Sequence, residues 1–281
     1  MGKNTRAGLL FIAPSFVGVT IFVLIPFLDV VSRSFHSAMS GETVGLGNYK
    51  AVFANEAFRL AAGNTLRFMA VCMPLLITLS LFLAVILYSR MSKSAFFKTT
   101  FLIPLAIPVA SVALLWRVLF HRSGLVNTVV AAFGGQTVDW MNSSYAFWVL
   151  VLSYIWKNLG YDLILWLAGL AGISTSIYEA AAVDGAGSWR TFCSITLPNL
   201  LPSFYTITVL SFLNSFKVFR EAYLVAGDYP DKSMYLLQHL FNNWFRELSM
   251  DKLSAAAVVV AVVILLLIFL LQQALRSGER L

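Results

Sequence analysis

The chain has 281 residues, of which 59% are hydrophobic and only 12% are charged, and its formal net charge is +7. A water-soluble domain of this length needs more polar surface, so the composition excludes that class and indicates an all-α, polytopic membrane protein. No run of lysine or arginine suggests a nucleic-acid-binding arm. The three histidines and two cysteines show neither metal-ligand spacing nor a disulfide framework.

Six apolar runs are long enough to cross about 30 Å of hydrocarbon as helices. The third contains Pro104 and Pro108, which predict a kink inside a helix bundle because proline leaves backbone carbonyls unpaired. We expect the six spans to form a single transmembrane domain over residues 1–281. They are predicted at Leu9–Val31, Phe68–Leu87, Thr99–Trp116, Ala146–Ala171, Leu200–Phe216 and Ala255–Leu271.

The short basic segments predict the orientation of these spans. The N-terminal tail and the loop 88–98 carry bases and no acid, and the C-terminal tail has Arg276 and Arg280 against Glu279. With six spans these segments fall on one side of the membrane, which the positive-inside rule makes cytoplasmic. Both termini and the polar segment 172–198 are therefore expected in the cytoplasm.

That polar segment, between the fourth and fifth spans, is typical of two short helices joined by a glycine turn. Ser176 and Glu179 have capping-box spacing for the first helix, and Ser188 is expected to cap the second. Gly185 follows Asp184 where a helix C-terminus favours a left-handed residue. Three alanines leave a smooth surface for another protein. The alternative is an amphipathic connector in the lipid headgroups, and the residues alone favour neither.

Polar residues inside the fourth and fifth spans are candidates for contact with a transported solute, because polar groups are costly at bilayer depth. A glycine there lets a backbone or a ligand approach, and a tyrosine ring is of the kind that stacks on sugars. The alternative role for the hydroxyl and amide groups is hydrogen bonding between helices. The candidates are Asn158, Gly160 and Tyr161 in the fourth span and Ser211, Asn214 and Ser215 on one face of the fifth.

The segment from Glu179 to Pro198 fits the pattern EAA-x3-G-x9-I-x-LP at every fixed position. With "IPFLDVVSRSF", "GLGNY", "GNTLRF" and "FREAYLVAGDYP", it resembles the membrane subunits of binding-protein-dependent ATP-binding-cassette (ABC) importers. The chain is most similar to the maltose-type first permease of the carbohydrate-uptake branch. It departs from that pattern at "AGDYP", where many relatives have two adjacent glycines.

The resemblance implies a permease subunit in a bacterial or archaeal cell membrane, forming half of a translocation pathway for a sugar, with an oligosaccharide preferred. The implied partners are a second homologous permease in a heterodimer, two cytoplasmic ABC ATPase subunits and an extracytoplasmic solute-binding protein. The segment 172–198 becomes a coupling helix docked on an ATPase. Its coupling residues would be Tyr178, Glu179, Ala180, Ala181, Asp184 and Gly185.

No G-x-x-x-x-G-K loop occurs in the chain, so we expect no cofactor here and ATP hydrolysis by a partner subunit. A membrane enzyme is excluded because paired carboxylates, a nucleophile triad and a metal cluster are all missing from the sequence. The remaining alternative is a secondary transporter driven by an ion gradient, with Asp162 as the coupling-ion site.

Other charged and aromatic residues have predicted roles outside the solute pathway. Lys157 and Asp162 are expected to pair with charges on the partner permease, and Lys217 and Asp29 to extend towards the membrane surface. The outer loops 32–67 and 217–254 are expected to dock a solute-binding protein, with an interfacial aromatic belt as the alternative. Their exposed aromatic residues are predicted to be Tyr229, Tyr235 and Trp244.

Overall fold

The computed structural model describes residues 3–89 and 94–278. Several residues used to predict orientation, among them Arg90, Lys93 and Arg280, lie outside the described residues. Regular structure within the described ranges is helical, apart from one isolated bridge between His36 and Thr43. The predicted all-α class is therefore confirmed.

The described chain contains fifteen α-helices, joined in places by short helical turns of other types. The joining turns are π-helical at Thr20–Leu24 and Phe192–Thr196, and 3-10 at Phe216–Val218 and Lys232–Met234. The α-helices are α1 Lys3–Val19, α2 Ile25–Arg33, α3 Gly47–Ala54, α4 Glu56–Ser89, α5 Ser94–Ala106, α6 Val109–Leu119, α7 Leu125–Ala132, α8 Ala146–Ala171, α9 Thr175–Val183, α10 Ser188–Thr191, α11 Leu197–Asn199, α12 Leu201–Ser215, α13 Phe219–Ala226, α14 Leu237–Arg246 and α15 Met250–Gly278.

Three helical stretches are each long and apolar enough to cross a membrane, namely Phe11–Arg33, Glu56–Ser89 and Met250–Gln273. Three more pass the same test as bent pairs, which gives up to six spans. Each predicted span overlaps one of these helices or pairs, and the count of six crossings stays a prediction. The bent pairs are α5 with α6 (95°), α8 with α9 (67°), and Ser188–Asn199 with Leu201–Ala226 (64°).

The third predicted span is broken rather than gently curved. The first helix, α5, ends at Ala106, and the second, α6, begins at Val109. Pro108 has an extended backbone and is the N-cap of α6. Proline has no backbone N–H and disfavours helical conformation in the residue before it, so Ile107 leaves the helix. The predicted kink at this point is confirmed and is sharper than a kinked helix.

The fifth predicted span is longer than the sequence suggests. It continues past Phe216 through a 3-10 turn into α13 and ends at Ala226, before Gly227 with a φ of +76°. A positive φ suits glycine and stops a right-handed helix. The prediction that an outer loop begins at Lys217 is therefore wrong.

The described residues divide into two compact units: the chain up to Arg59 with Leu240–Leu267, and Leu60–His239 with the chain from Ile268 onward. In the first unit, Asn48 donates hydrogen bonds to the carbonyls of Ser34 and His36 at 3.0 and 2.9 Å. The single domain predicted over residues 1–281 stays a prediction.

The core of the second unit is built around α8, whose buried side chains include Phe147, Tyr154 and Trp166. Hydrogen bonds between buried polar groups join α8 to its neighbours. The Trp166 indole N–H donates to the Ser80 hydroxyl at 3.1 Å, and the Tyr154 hydroxyl donates to the Ser211 carbonyl at 3.1 Å. Such bonds satisfy groups that lipid cannot, so they hold α4, α8 and α12 in register.

Candidate functional site

A cavity of about 500 Å³ opens in the second unit between the break at 105–109, α8 and the continuous α12–α13 stretch. Asn158 and Tyr161 from the fourth predicted span and Asn214 from the fifth all line it. A cavity with an apolar wall and a few convergent polar groups is the usual form of a small-molecule site. The structure thus brings together three of the six residues predicted for the solute pathway.

The three lining residues differ in how their polar groups are engaged. The Asn158 side-chain amide donates to the Tyr154 carbonyl one turn earlier at 2.9 Å. Asn214 accepts a hydrogen bond from the Lys217 ammonium at 2.7 Å through its side-chain oxygen. Tyr161 is half-buried in the cavity wall. Its ring and the two amides form a surface of the kind that stacks on and hydrogen-bonds a sugar.

The other three predicted residues are buried in helix contacts and do not line this cavity. A Cβ atom at Gly160 would overlap the carbonyl of Phe101, so this glycine permits the close packing of α5 on α8. The Ser211 hydroxyl donates to the Asp162 carboxylate at 2.8 Å, joining α12 to α8. The Ser215 hydroxyl donates to the Phe212 carbonyl at 2.6 Å within α12.

Lys157 has its partner inside this chain, so the prediction that it pairs with a second permease is wrong. Its ammonium lies 2.6 Å from the Glu221 carboxylate, and the two side chains are only 12% and 11% exposed. Glu221 is within reach because α13 prolongs α12 along the cavity. The same expectation fails for Asp162, which is 1% exposed and bonded to Ser211.

Three charged cavity residues lie beyond the predicted end of the fifth span and were missed as site residues. Lys217, Arg220 and Glu221 occupy positions i, i+3 and i+4, which share one helix face, and all three line the cavity. This helical spacing was the feature of the sequence that could have indicated a charged helix face after Phe216. We predicted that Lys217 extends towards the membrane surface. In the structure its side chain lines the cavity and donates a hydrogen bond to Asn214.

The polar segment after α8 forms a hook that begins at a 67° bend into α9. The Gly185 N–H bonds to the Ala182 carbonyl at 3.1 Å, the Ala186 N–H bonds to the Ala181 carbonyl at 2.9 Å, and Gly185 has a φ of +72°. These bonds define a Schellman motif with glycine at its left-handed position. The glycine turn predicted between two short helices is confirmed.

The hook differs from the prediction at both helix starts. Ser174 and Gly187, rather than Ser176 and Ser188, occupy the N-cap positions. Neither N-cap makes a side-chain cap hydrogen bond, and the Ser174 hydroxyl instead lies 2.8 Å from the Ser176 hydroxyl. The capping-box spacing with Glu179 is therefore not used.

A hydrogen bond joins the two sides of the hook, α9 and the π-helical turn Phe192–Thr196, because the Tyr178 hydroxyl lies 3.1 Å from the Thr196 hydroxyl. Ala181 is only 6% exposed and packs inward. The outer surface carries the remaining predicted coupling residues and two large apolar side chains, Val183 at 89% exposure and Trp189 at 77%. The exposed coupling residues are Glu179, Ala180, Asp184 and Gly185.

Only one of the three aromatic residues predicted to be exposed on the outer loops is so. Tyr229 is 73% exposed, whereas Tyr235 and Trp244 are buried. Tyr235 stacks on the His239 ring with centroids 5.7 Å apart, and Trp244 stacks on Phe58 at 6.5 Å. Of the three aromatic side chains predicted for docking on these loops, Tyr229 alone is therefore accessible to a partner.

His239 in α14 is fully buried against the rings of Phe219 and Tyr235. Its Nδ1 atom accepts a hydrogen bond from the Leu236 N–H at 3.2 Å, which makes it an acceptor and assigns a neutral ring. Burial lowers the pKa of His239 to about 4, against a smaller opposite effect of the Asp228 carboxylate. The imidazole is therefore uncharged at neutral pH.

The family model for "Binding-protein-dependent transport system inner membrane component" matches residues 77–280. The lactose transport system permease protein LacF of Rhizobium radiobacter is 31% identical over 250 residues, covering 85% of this chain and 83% of LacF. The probable ABC transporter permease protein YesP of Bacillus subtilis is 32% identical over 265 residues, covering 90% and 85%.

A solved structure of a bacterial alginate ABC transporter, in complex with an alginate pentasaccharide-bound periplasmic protein, has a similar fold. The TM-score is 0.82 at 22% sequence identity, over 97% of this chain and 96% of the other. At this identity the likeness concerns the fold alone.

Proposed function

This chain belongs to the family of binding-protein-dependent transport system inner membrane components, and from that premise we propose how its hook and its cavity import a saccharide. It is a multi-pass membrane permease of an ABC importer. The ion-gradient alternative is not supported, because the family depends on binding proteins and because Asp162 bonds to Ser211 and does not line the cavity.

The observation that carries the proposal is the hook after α8. Its Schellman turn holds Glu179 and Asp184 on an exposed surface beside Val183, which is 89% exposed. Large apolar side chains next to charges on a tightly turned, exposed segment are typical of a protein interface. We assign this surface to a groove of a cytoplasmic ABC ATPase, one of two that hydrolyse ATP for the importer.

The hook and the cavity are connected through α8. This helix ends at Ala171, four residues before α9 begins at Thr175, and carries Asn158 and Tyr161 in the cavity wall. The Tyr178–Thr196 contact joins α9, which follows α8, to the turn that precedes α11 and α12. ATP-driven closure of the ATPases would thus displace α8 and α12 together. Only a difference in docking free energy between the two ATPase states drives this displacement.

The cargo that fits the cavity is a saccharide delivered by an extracytoplasmic solute-binding protein. LacF is named for lactose, and the alginate transporter was solved with a saccharide-bound periplasmic protein. In this chain the cavity offers an aromatic ring at Tyr161 and side-chain amides at Asn158 and Asn214. A second, homologous permease would supply the other half of the pathway as a heterodimer partner.

The placement of the hook in the cytoplasm is tested with the two cysteines of the chain. Cys193 in the hook is exposed and Cys72 is buried. An impermeant thiol reagent should therefore label Cys193 in inverted vesicles and leave right-side-out vesicles unlabelled. Labelling from the outside would place the hook, and with it both termini, on the wrong side for this proposal.

The coupling role is tested with Glu179→Lys, which reverses an exposed charge without touching the core. The variant should reach the membrane, lose co-purification with the ATPase and lose saccharide-stimulated ATP hydrolysis. Arg122→Glu reverses an exposed charge in the loop before α7 and is the control, which should behave as wild type. Normal ATPase binding and uptake by Glu179→Lys would contradict the assignment.

A further inference from the structure

The charges lining the cavity are unequal. Lys157, Lys217 and Arg220 line it together with one carboxylate, Glu221, which gives a formal charge of +2 on the described lining. The remaining lining side chains are uncharged. A concave site dominated by one sign of charge concentrates ligands of the opposite sign.

The excess positive charge comes from α12–α13 rather than from α8. Lys157 and Glu221 lie 2.6 Å apart and offset each other. Lys217 contacts the neutral amide oxygen of Asn214 at 2.7 Å, which satisfies one ammonium proton without offsetting the charge. Arg220 is exposed into the cavity, and within residues 3–89 and 94–278 it makes no ion pair with a carboxylate.

Two unbalanced cations in a pathway through a membrane are costly unless a ligand or water compensates them. A neutral sugar offers only hydroxyl groups to these residues. An anionic group offers charge-assisted bonds, and the planar guanidinium of an arginine fits a carboxylate, phosphate or sulfonate through two parallel N–H donors. The Tyr161 ring in the same cavity leaves the sugar ring a surface to stack on.

We propose that the cargo is an acidic saccharide, whose anionic group binds Arg220 and Lys217 while its sugar ring lies against Tyr161. This inference rests on the proposed function, since it names the class of saccharide that the same cavity takes. The Lys157 ammonium is paired with Glu221 in the cavity wall, so it does not bind the cargo. Lys217 and Arg220 are the two cations that bind the anionic group.

The test uses the assembled importer in liposomes, with its binding protein, and measures saccharide-stimulated ATP hydrolysis. The probes are pairs of saccharides, each acidic member (a uronate, a phosphate or a sulfonate) matched with its uncharged counterpart. At least one acidic member should stimulate at a concentration about tenfold below that of its counterpart. A wild-type importer that responds equally to both members of every pair, or better to the neutral ones, overturns the inference.

Variants locate the effect in the cavity. Arg220→Gln should raise the half-stimulating concentration of the acidic saccharide by about tenfold and leave that of a neutral one unchanged. Arg220→Lys keeps the charge but loses the two parallel donors, so it should retain only part of the response. Arg122→Gln removes an exposed arginine that lies beside Asp139 and does not line this cavity, and as the control it should respond as wild type does. An Arg220→Gln importer with unchanged response to the acid overturns the inference.

The two levels of the proposal fail differently. If neutral saccharides stimulate ATP hydrolysis and acidic ones do not, saccharide import stands and the acidic cargo is wrong. If no saccharide stimulates ATP hydrolysis by the assembled complex, the proposed function itself is wrong, and the inference falls with it.

Discussion

The ammonium nitrogen of Lys157 lies 2.6 Å from a carboxylate oxygen of Glu221, and this ion pair joins α8 to α13 in the wall of the cavity. Both side chains are about nine-tenths buried. The other Glu221 oxygen is also buried and has no hydrogen-bond partner in the part of the chain that the structure describes. The carboxylate therefore depends on Lys157 for most of its compensation.

Removal of either partner should cost stability because it leaves the other charge buried alone. We expect Glu221→Leu to lower the free energy of unfolding by about 3 kcal/mol, and the double variant with Lys157→Met to recover much of it. Thermal unfolding in detergent measures both. Asp29→Leu breaks an exposed pair with Arg33 and should cost under about 1 kcal/mol. Equal losses from Glu221→Leu and Asp29→Leu would refute a structural role for the pair.

Gly160→Ala should separate α5 from α8. A methyl group there meets the Phe101 backbone, which cannot rotate away as a side chain does. We expect a loss of about 1–3 kcal/mol in unfolding free energy, measured by chemical or thermal denaturation in detergent. Gly63→Ala is the control, because a methyl group at this exposed helical position meets nothing within 4 Å. It should be neutral or stabilising by up to about 1 kcal/mol.

Gly185→Ala should distort the hook without a steric clash. No atom lies within 4 Å of the added methyl, but the φ of +72° costs an alanine about 1 kcal/mol. Hydrogen exchange at residues 178–192 should increase, and saccharide-stimulated ATP hydrolysis should fall. Gly187→Ala adds the same methyl in equally open space at a negative φ and should leave both readouts unchanged. Parallel behaviour of the two variants would exclude the Schellman turn as the cause.

The region around His239 should lose stability in acid. The pKa of His239 is lowered to about 4 by burial, whereas in an unfolded chain it is about 6.5, so the unfolded state binds the proton more readily between these values. The stabilisation of the fold by the neutral His239 ring is therefore fully present above about pH 6.5. It is lost as the pH falls towards 4, and the total loss in the free energy of unfolding is roughly 3 kcal/mol. Protease nicking or hydrogen exchange over residues 232–239 at pH 7.5 and pH 5 measures this loss. A His239→Gln variant should show a flat response between these pH values.

The apolar spans and the hook were readable from the sequence because each depends on local chemistry. Residues 146–171 form a mainly apolar run with a short polar stretch at 157–162, and α8 has these bounds. Gly185 follows a run of good helix formers and terminates it in the structure. Such features need only hydrophobic length, helix propensity and one residue free to take a positive φ.

The charged half of the cavity was not readable in the same way, because it depends on where a helix ends in space. The change from apolar to charged residues after Phe216 is typical of the end of a span, yet the backbone continues helically to Ala226. Lys217, Arg220 and Glu221 then lie on the cavity face instead of in a loop. The partner of Lys157 is 64 residues away in sequence, a pairing that spacing rules do not reach.

The interrupted helix contributes residues 105–109, all of them uncharged, to the cavity wall, and this restricts how the importer can change its cargo during evolution. Pro108 lies at the break itself, so a substitution there alters the path of the helix as well as the lining of the cavity. New selectivity has to arise on the opposite faces, at positions such as Asn158, Tyr161 and Arg220. Homologues that carry different solutes should therefore share the interruption and diverge at those three sites.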